Sequence, residues 1–329
     1  MTPSPAAAPA TPPLKAPITV LVVTRNEELN LERCLASVRG LADQLLVIDS
    51  ESTDRTREIA RRFADEVHEL PYDHSRIIPW IFQWGLDQLP IRNPWVLLLE
   101  ADQAPTPELQ AELRALFARP AIPESGFYIR RRQIFRGRRI RFGGYGSKRL
   151  LKLFRRDRGQ LDPLEQDTRV YVRGRVGRLR SPLEEWNKKE DAILFYLEKH
   201  LRYAEAFARE ELARRRDGVA WKLTPRLLGT SDQRTLWLKS RYYRLPLLLR
   251  PALYFAYRYF LLLGILDGRN GFVFHFLQAF WFRLVVDVRL EELLRQAAAA
   301  APPGGGPAPA ASSRQGPEAV TPAAEDPAA

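Results

Sequence analysis

The sequence predicts an α/β fold in which helices cover both faces of a sheet, followed by a helical C-terminal part. Three observations support this prediction. Continuous β-branched runs such as Ile18–Thr24 are typical of buried parallel strands. Segments with helical apolar spacing, such as that of Leu31, Leu35 and Val38, separate these runs. The links between them are short, and this alternation indicates a parallel sheet between two layers of helices.

The elements of the first half follow in order from the same patterns. Strands are predicted at residues 18–24, 44–50, 65–70 and 95–102, and helices at residues 26–41, 53–64 and 80–90. Ligands of such sheets bind outside the carboxyl ends of the strands. The residues that follow each strand are therefore the first candidates for a functional role.

Composition limits the class of protein. The chain has 329 residues, of which 45% are hydrophobic, and this is sufficient for a folded core. Its one cysteine, Cys34, excludes a disulfide framework. The net charge of +12 indicates an affinity for nucleic acid, anionic membranes or phosphorylated substrates, without choosing among them.

The two ends of the chain have a different composition from the rest. Residues 1–16 are rich in Pro and Ala and lack the apolar run of a signal peptide, and residues 297–329 are of low complexity. We predict that both are disordered tails. No uninterrupted apolar stretch reaches the roughly 18–20 residues of a membrane-spanning helix, so no span is predicted.

Polar side chains follow three of the predicted strands. They form the clusters Thr24–Glu28, Asp49–Asp54 and Glu100–Asp102. Helix capping is an alternative role for Asn26, Thr53 and Asp54. Three such clusters at the same edge of a sheet nevertheless favour a binding site.

Glu100 and Asp102 end the strand at residues 95–102 one residue apart. Because alternate residues of a strand lie on the same face, the two carboxylates are expected to lie close together. Like charges so close repel unless a cation separates them. Mg²⁺ is held by one or two carboxylates and substrate phosphates, so a divalent metal with a nucleotide diphosphate fits this pattern.

The segments VVTRNEELNLERCLASV, VIDSESTDRTREIA and WVLLLEADQAPTPEL together resemble the nucleotide-sugar half of family 2 glycosyltransferases, over residues 17–120. The resemblance implies the GT-A fold, a Rossmann-like mixed sheet with helices on both faces. It also implies a divalent metal, Mg²⁺ or Mn²⁺, at the family's D-x-D position, with Asp102 as the favoured ligand and Glu100 as the second. The nucleotide-binding residues that it implies are Thr24, Asn26, Glu27, Asp49, Asp54, Glu100 and Asp102.

Two positions depart from the pattern of the family. Glu100 stands where the family usually has Asp, and Glu51 stands where it usually has Gly. Glu100 keeps the negative charge on a longer side chain. Glu51 adds a negative charge near the expected diphosphate unless its side chain is directed outward.

Residues 121–189 are expected to form the acceptor half of the GT-A domain. Arginines crowd residues 130–139, either as a solvated basic face or as contacts to a diphosphate. The glycine-rich segment Phe142–Arg149 is predicted to be a flexible loop that could cover the donor. Inverting sugar transfer needs a carboxylate that takes the proton of the acceptor hydroxyl, and related sequences have an acidic residue in this region. We favour Asp167 as this catalytic base, with Glu165 second, although both also suit a turn before a strand.

Glu184 and Glu185 are weaker candidates for the base, and they are predicted instead to begin the next helix, where acidic residues suit the helix dipole. Residues 190–296 are predicted to be helical. Their last part holds two aromatic, apolar segments around Asp267–Gly271, interrupted by Arg250, Arg258 and Arg283. Such segments suit a membrane interface with the arginines at its rim, and two buried core helices are the alternative. A similar ending occurs in family 2 members that act on lipid-linked sugars.

Together these features predict an inverting glycosyltransferase of the hexosyltransferase type, acting in polysaccharide or lipopolysaccharide assembly. Its partners would be a nucleotide-diphosphate sugar, a lipid-linked or free glycan and an anionic membrane surface. It would lie in the cytoplasm, peripheral on the inner face of a bacterial cell membrane. A catalytically inactive scaffold is an alternative, because of Glu51 and Glu100. A nucleic-acid-binding protein is less favoured, because no recognition motif is present, and no nucleic-acid partner is expected.

Overall fold

The computed structural model describes residues 15–73, 77–161, 168–216 and 223–299. The strands in these ranges are Ala16–Thr24 (β1), Ala42–Asp49 (β2), Glu66–Glu69 (β3), Trp95–Glu100 (β4), Gln103–Pro105 (β5), Gly126–Phe135 (β6), Arg138–Ile140 (β7), Arg149–Arg155 (β8), Gly159–Leu161 (β9), Val170–Val172 (β10) and Val176–Glu185 (β11). The α-helices are Leu31–Arg39 (α1), Thr56–Phe63 (α2), Ile78–Gln88 (α3), Pro107–Phe117 (α4), Ile193–Arg216 (α5), Ser231–Tyr242 (α6), Leu249–Ala256 (α7), Gly268–His275 (α8) and Phe282–Ala299 (α9). Short 3₁₀ or π turns lie at Lys188–Asp191, Tyr257–Leu261, Gly264–Asp267 and Phe276–Trp281.

The main sheet is mixed, with the strand order β3-β2-β1-β4-β8-β6-β11-β5 and β7 paired with β6. The strands β3, β2, β1 and β4 are parallel, as the sequence predicted, whereas β8 is antiparallel to both β4 and β6. In this register Thr24 lies opposite Asp49, and Val23 lies opposite Glu100. The carboxyl ends of β1, β2 and β4 therefore meet at one edge, where the polar clusters were expected.

Helices cover both faces of the sheet, which confirms the predicted GT-A-like architecture. On one face, Leu35 of α1 and Leu113 of α4 pack in the same buried cluster as Val22 of β1. On the other face, Phe82 of α3 packs in a cluster with Leu21 of β1. The alternation of a strand thus sends neighbouring residues of β1 to two separate cores.

The C-terminal helices form a further layer, in which α5 packs against α9 through Ala204, Phe282 and Val286. A buried ion cluster lies beside this contact. Arg250 is fully buried, and its guanidinium donates to Asp287 at 2.8 Å and to Glu211 at 2.8 and 2.9 Å. A buried charge needs such partners, because its desolvation is otherwise unfavourable by several kcal/mol.

The prediction that the arginines of this region lie at a membrane surface is therefore wrong for Arg250 and Arg258, and it stays a prediction for the half-buried Arg283. Arg250 is paired inside the protein, and Arg258 donates to the backbone oxygen of Gly143 at 2.8 Å. The guanidinium of Arg283 lies 5.4 Å from the ring centre of Phe207. The sequence placed these arginines at a rim because they interrupt apolar runs, but the partners that neutralise or cover them come from distant parts of the chain.

The segment Gly264–Ala299 is one continuous run of helical turns. By length and composition it could cross a membrane, since its most apolar 18-residue stretch has a mean hydropathy of 1.3, but 44% of that stretch is buried against the rest of the chain. No span was predicted here from the sequence, because charged residues such as Arg269 and Arg283 interrupt the apolar stretch. Its partly buried state and the internal pairing of Asp287 are also what a core helix shows.

Candidate active site

The loops after β1 and β2 are joined by side chains that the sequence assigned to nucleotide binding. Asn26 accepts a hydrogen bond from the backbone N–H of Thr53 at 2.7 Å and donates its own N–H to Ser52 Oγ at 2.8 Å. Asp54 accepts from the N–H groups of Glu28 at 3.2 Å and Thr56 at 2.9 Å. Asn26 and Asp54 thus hold the two loops together, and a direct contact of either with a nucleotide stays a prediction.

Asp54 titrates below its usual range. Its partial burial opposes ionisation, but hydrogen bonds from Thr56 and Glu28 outweigh that burial and lower the pKa of its carboxyl group. The carboxylate is therefore ionised at neutral pH. Its position between the two loops adds negative charge at the edge of the sheet.

Asp49 and Thr24 lie side by side at the ends of their strands. Asp49 is fully buried, and both of its oxygens accept hydrogen bonds from Ser52, one of them from the N–H at 2.9 Å. The hydroxyl of Thr24 is buried without a hydrogen-bond partner in the described residues. Such a group is rare in a native interior, so Thr24 is the member of this pair with hydrogen-bonding capacity left for a ligand.

Glu51 adopts a backbone φ of +53°, which is the left-handed region that favours glycine. This explains why the related family has Gly at this position. The Glu51 side chain is exposed, and its carboxylate accepts the N–H of Tyr72 at 3.0 Å. The guanidinium of Arg25 stacks over the Tyr72 ring, 3.2 Å from its centre. Tyr72 thus contacts both the unusual negative charge, through its backbone N–H, and the cation of Arg25, through its ring.

Glu27 links the donor half of the site to the acceptor half. Its carboxylate lies 2.5 Å from Lys189 Nζ and accepts from Asn30 at 2.7 Å. Lys189 also donates to the backbone oxygen of Asn26 at 2.9 Å. The role of Glu27 at the border of a nucleotide stays a prediction, and the structure shows that its charge is already paired.

Glu100 is also paired, with a residue that the sequence did not single out. Lys152 of β8 is 1% exposed, and its ammonium group lies 3.1 Å from Glu100 Oε1. Gln103 donates a weaker hydrogen bond to the same oxygen at 3.4 Å. A lysine inside the apolar run LLKLF of β8 was the available signal, because buried lysines almost always have a charged partner.

Asp102 lies in the turn between β4 and β5. Its backbone oxygen accepts from the Trp186 N–H at 3.0 Å and from the side chain of Arg33. Its Oδ1 atom is buried and has no hydrogen-bond partner within the part of the chain that the structure describes. Burial, and then the nearby negative charges of Glu185 and Glu100, raise the pKa of this carboxyl group well above its usual range. A cation bound here would favour the ionised form.

Glu184 and Glu185 do not begin a helix, contrary to the prediction. They end β11, because this strand pairs with β5 on one side and with β6 on the other, and the next α-helix begins only at Ile193. Two acidic residues before a polar run resemble a helix start. The sequence alone does not reveal the hydrogen-bonding partners that prolong the strand.

The position of Glu185 places it in the site. It lies opposite Gln103, which donates to its Oε2 at 3.0 Å, and its Oε1 is 3.1 Å from Arg131. Burial disfavours its charge, but Arg131 and then Lys148 and Lys152 lower the pKa of the Glu185 carboxyl group. Glu185 is therefore ionised, and it holds the Arg131 guanidinium in the neighbourhood of Glu100.

These residues fit a divalent metal held jointly by the protein and a substrate. The unpartnered oxygen of Asp102 is one available ligand, whereas Glu100 is shared with Lys152. Among the described residues, no three His, Cys, Asp or Glu side chains are grouped closely enough to hold a metal alone. Mg²⁺ sites of this kind take one or two carboxylates and complete their ligands with phosphate and water.

The glycine-rich segment is anchored by the C-terminal helices rather than flexible. Arg258 donates to the oxygen of Gly143, and Asp267 accepts the N–H groups of Arg141 at 3.0 Å and Phe142 at 2.9 Å. Gly143 has φ +64°, and an added Cβ would lie 2.1 Å from the His275 ring. Only glycine fits this close contact, which fixes the segment against the C-terminal layer.

The basic cluster of residues 130–139 is divided between the site and the solvent. Arg131 faces Glu185, and Arg132 lies 3.8 Å from Glu184. Arg136, Arg138 and Arg139 are exposed in the β6–β7 hairpin. The candidate bases Asp167 and Glu165 fall between residues 162 and 167, outside the described residues, so their assignment stays a prediction.

Comparisons with known proteins agree with this architecture. Residues 19–187 match the family described as Glycosyl transferase family 2. An uncharacterized glycosyltransferase of Rickettsia bellii is 34% identical over 101 residues, which span 31% of this chain and only 33% of that relative. The lipopolysaccharide core biosynthesis glycosyltransferase LpsC of Rhizobium meliloti is 27% identical over 173 residues, 51% of this chain and 62% of the relative.

Among solved structures, one similar chain is the mannosyltransferase PcManGT from Pyrobaculum calidifontis, in complex with GDP-Man and Mn²⁺. It is 17% identical, the alignment covers 88% of this chain and 90% of that one, and the TM-score is 0.40. The matched residues run from within β1 to just past the end of β11 and include Asp49, Glu100, Asp102 and Glu185. The chain belongs to glycosyl transferase family 2.

Proposed function

We propose that this chain transfers a sugar, of the hexose type, from a nucleotide diphosphate to a glycan acceptor with inversion at the anomeric carbon. The observation that carries the proposal is the buried, unpartnered Oδ1 of Asp102, at the sheet edge where β1, β2 and β4 end. Family membership supports the reaction class. The ionised neighbours of Asp102 make the place favourable for a cation.

The donor would lie along the edge formed by the clusters after β1, β2 and β4. The Thr24 hydroxyl is free to bond the nucleoside, and the loops held by Asn26 and Asp54 provide a rigid border. A bound Mg²⁺ or Mn²⁺ would offset the charge that develops on the departing nucleoside diphosphate. Asp102 would hold this metal, with Glu100 as a second ligand when Lys152 moves aside.

The acceptor would approach from the side of residues 121–189. Its hydroxyl oxygen attacks the anomeric carbon opposite the diphosphate, the carbon–oxygen bond to the phosphate breaks, and a carboxylate receives the hydroxyl proton. We propose Asp167 as this base, with Glu165 second. Glu185 is a poorer candidate because its lowered pKa and its bonds to Arg131 and Gln103 weaken it as a proton acceptor.

We further propose a lipid-linked glycan as the acceptor and a peripheral position on the inner face of the bacterial cell membrane. The similarity to LpsC, named for lipopolysaccharide core biosynthesis, supports a role in cell-surface polysaccharide assembly. The apolar surface of the C-terminal helices supports the location. A catalytically inactive scaffold is the second candidate, favoured by one observation: Lys152 already neutralises Glu100.

The release of nucleoside diphosphate from a panel of nucleotide sugars, with Mg²⁺ or Mn²⁺, tests the proposal. Slow hydrolysis of one donor, accelerated by a glycan acceptor, is the expected result. Asp102→Asn should abolish most of this release, and Asp87→Asn, an exposed carboxylate on α3, is the matched control. Binding of a nucleotide without any turnover would favour the scaffold instead.

A further inference from the structure

The C-terminal layer exposes an apolar surface that the protein leaves uncovered in the part of the chain that the structure describes. The large apolar side chains exposed between α7 and the turn after α8 are Leu253, Tyr257, Phe260, Leu261, Leu263, Ile265, Leu266, Phe272 and Phe276. We call this set the apolar face. Leu261 is 74% exposed and Leu266 is 59% exposed. Contiguous exposed apolar surface of this kind marks a site of interaction with a partner or a membrane.

The apolar face is a built surface and not a frayed end. Phe272 and Phe276 stack with their ring centres 5.9 Å apart, and Phe255 contacts both at 6.4 and 6.2 Å. The ring of Tyr259 lies 5.7 Å from that of Phe272. These contacts hold the segment after α7 beside α8, so their outward side chains share one surface.

A basic surface adjoins the apolar face. The hairpin of β6 and β7 exposes Arg136, Arg138, Arg139 and, just beyond it, Arg141, and we call these four the basic rim. None of the four has a carboxylate within salt-bridge distance among the described residues. Partial burial, and then the positive charges of Arg132, Arg130 and Arg141, lower the pKa of the Arg139 guanidinium.

Direct hydrogen bonds join the two surfaces. Asp267, in the turn that carries Ile265 and Leu266, accepts the backbone N–H of Arg141 at 3.0 Å. Asn270 of α8 donates to the backbone oxygen of Phe135 at 3.5 Å, next to the hairpin. The basic rim therefore borders the apolar face at a fixed place, as charged headgroups border acyl chains in a bilayer.

We propose that the apolar face and the basic rim together dock on an anionic phospholipid bilayer, with the leucines of the 260–266 segment inserted and the four arginines against the headgroups. Charge complementarity favours this occupant over a second copy, because two basic rims brought together would repel. The arginines in contact with lipid are those of the β6–β7 hairpin. Arg250 and Arg258, which interrupt the apolar runs, bind partners within the protein.

This docking extends the proposed function and rests on it for the lipid-linked acceptor. Arg258 and Asp267 fix the glycine-rich segment to the helices of the apolar face, so the site opens near the membrane. A lipid-linked acceptor could then reach the site without leaving the bilayer. Membrane binding and donor turnover are separate measurements, so failure of one does not imply failure of the other.

Flotation of the full chain with vesicles of phosphatidylcholine, alone or with phosphatidylglycerol, tests the docking. The full chain should bind only the anionic vesicles and should dissociate at high salt. Arg138→Gln with Arg139→Gln should weaken binding about 25-fold, since each basic residue near an anionic surface contributes about fivefold. Arg61→Gln with Arg62→Gln, two exposed arginines of α2, removes the same charge and should change binding much less.

The apolar part is tested with Leu261→Ser and Leu266→Ser together. This variant should fold normally, because both side chains are exposed, and should bind the anionic vesicles much more weakly than the wild type at low salt. Leu228→Ser, at a leucine that is 98% exposed outside the apolar face, is the matched control and should bind as the wild type. Equal binding by all variants, or binding to neutral vesicles alone, would overturn the docking proposal. The docking proposal would also be overturned, in favour of a second copy, by two results together: the wild type forms a dimer but does not bind vesicles, and the double variant Leu261→Ser with Leu266→Ser is a monomer.

Discussion

Replacing Lys152 with methionine should destabilise the fold by leaving Glu100 without its partner. Met keeps most of the volume and removes the charge. Loss of one member of a fully buried ion pair costs about 3–5 kcal/mol. The side chain of Lys152 is 1% exposed but that of Glu100 is 27% exposed, so water can partly solvate the remaining carboxylate. We therefore expect a loss of about 1–3 kcal/mol.

Thermal and urea unfolding of Lys152→Met, Glu100→Gln and the double variant would measure this coupling. A fall in Tm of about 2–12 °C is expected for the lysine variant, at about 2–4 °C per kcal/mol for a large domain. Adding Glu100→Gln to Lys152→Met should recover most of the lost stability, because the unpaired carboxylate is removed. The matched pair Arg57→Met and Glu69→Gln removes an exposed ion pair of 3.3 Å and should show a coupling below about 1 kcal/mol.

The same variants report on the metal. In the proposed site Lys152 would compete with a divalent cation for Glu100, so Lys152→Met should be stabilised by Mn²⁺ at lower concentrations than the wild type. Strictly additive effects of Lys152→Met and Glu100→Gln would refute the coupling. An unchanged response to Mn²⁺ would refute the view that Glu100 is held in reserve as a second ligand.

Three further predictions concern the anchored loop, pH and the base. Gly143→Ala should destabilise the protein by about 1–3 kcal/mol more in urea unfolding than Gly137→Ala, because both have positive φ but only Gly143 would collide with His275; equal losses would contradict the contact. Burial and a nearby guanidinium lower the pKa of His275 to about 4, so the unfolded chain binds more protons between pH 6.5 and 4. As the pH is lowered through this window, the free energy of unfolding should fall by at most about 3 kcal/mol. A His275→Gln variant with the same pH dependence would show that His275 is not its cause. Asp167→Asn should lower turnover about 10²–10⁴-fold with donor affinity nearly intact, whereas a normal Asp167→Asn with an inactive Glu165→Gln would exchange the two roles.

The strand-end residues could be predicted because periodicity locates strands and parallel pairing aligns their ends. Thr24, Asp49 and Glu100 are brought to one edge by register alone, and the family pattern added the roles expected of these residues and of Asp102. The details of partnership could not be predicted in this way. Nothing in the local sequence shows that Lys152 of β8 neutralises Glu100, since they are 52 residues apart.

Glu185 and Arg250 show the same limit from two directions. Glu185 resembled the start of a helix, and only its pairing with β5 and β6 makes it the end of a strand beside Asp102. Arg250 resembled a surface charge within an apolar run, and only the fold brings Glu211 and Asp287 around it. In both cases the decisive contacts join residues that are distant in the chain.

The most direct test of the central proposal is the metal dependence of nucleotide binding at Asp102. Calorimetric titration of a panel of nucleoside diphosphates, with Mn²⁺ or with a chelator, would compare the wild type, Asp102→Asn and the control Asp87→Asn. We predict that Mn²⁺ tightens binding at least about tenfold in the wild type and the control, since one lost charged ligand contact is worth about 1.4 kcal/mol or more. Asp102→Asn should bind with the same affinity in both conditions. A full Mn²⁺ effect in Asp102→Asn would contradict the assignment of this carboxylate as the metal ligand of the donor site.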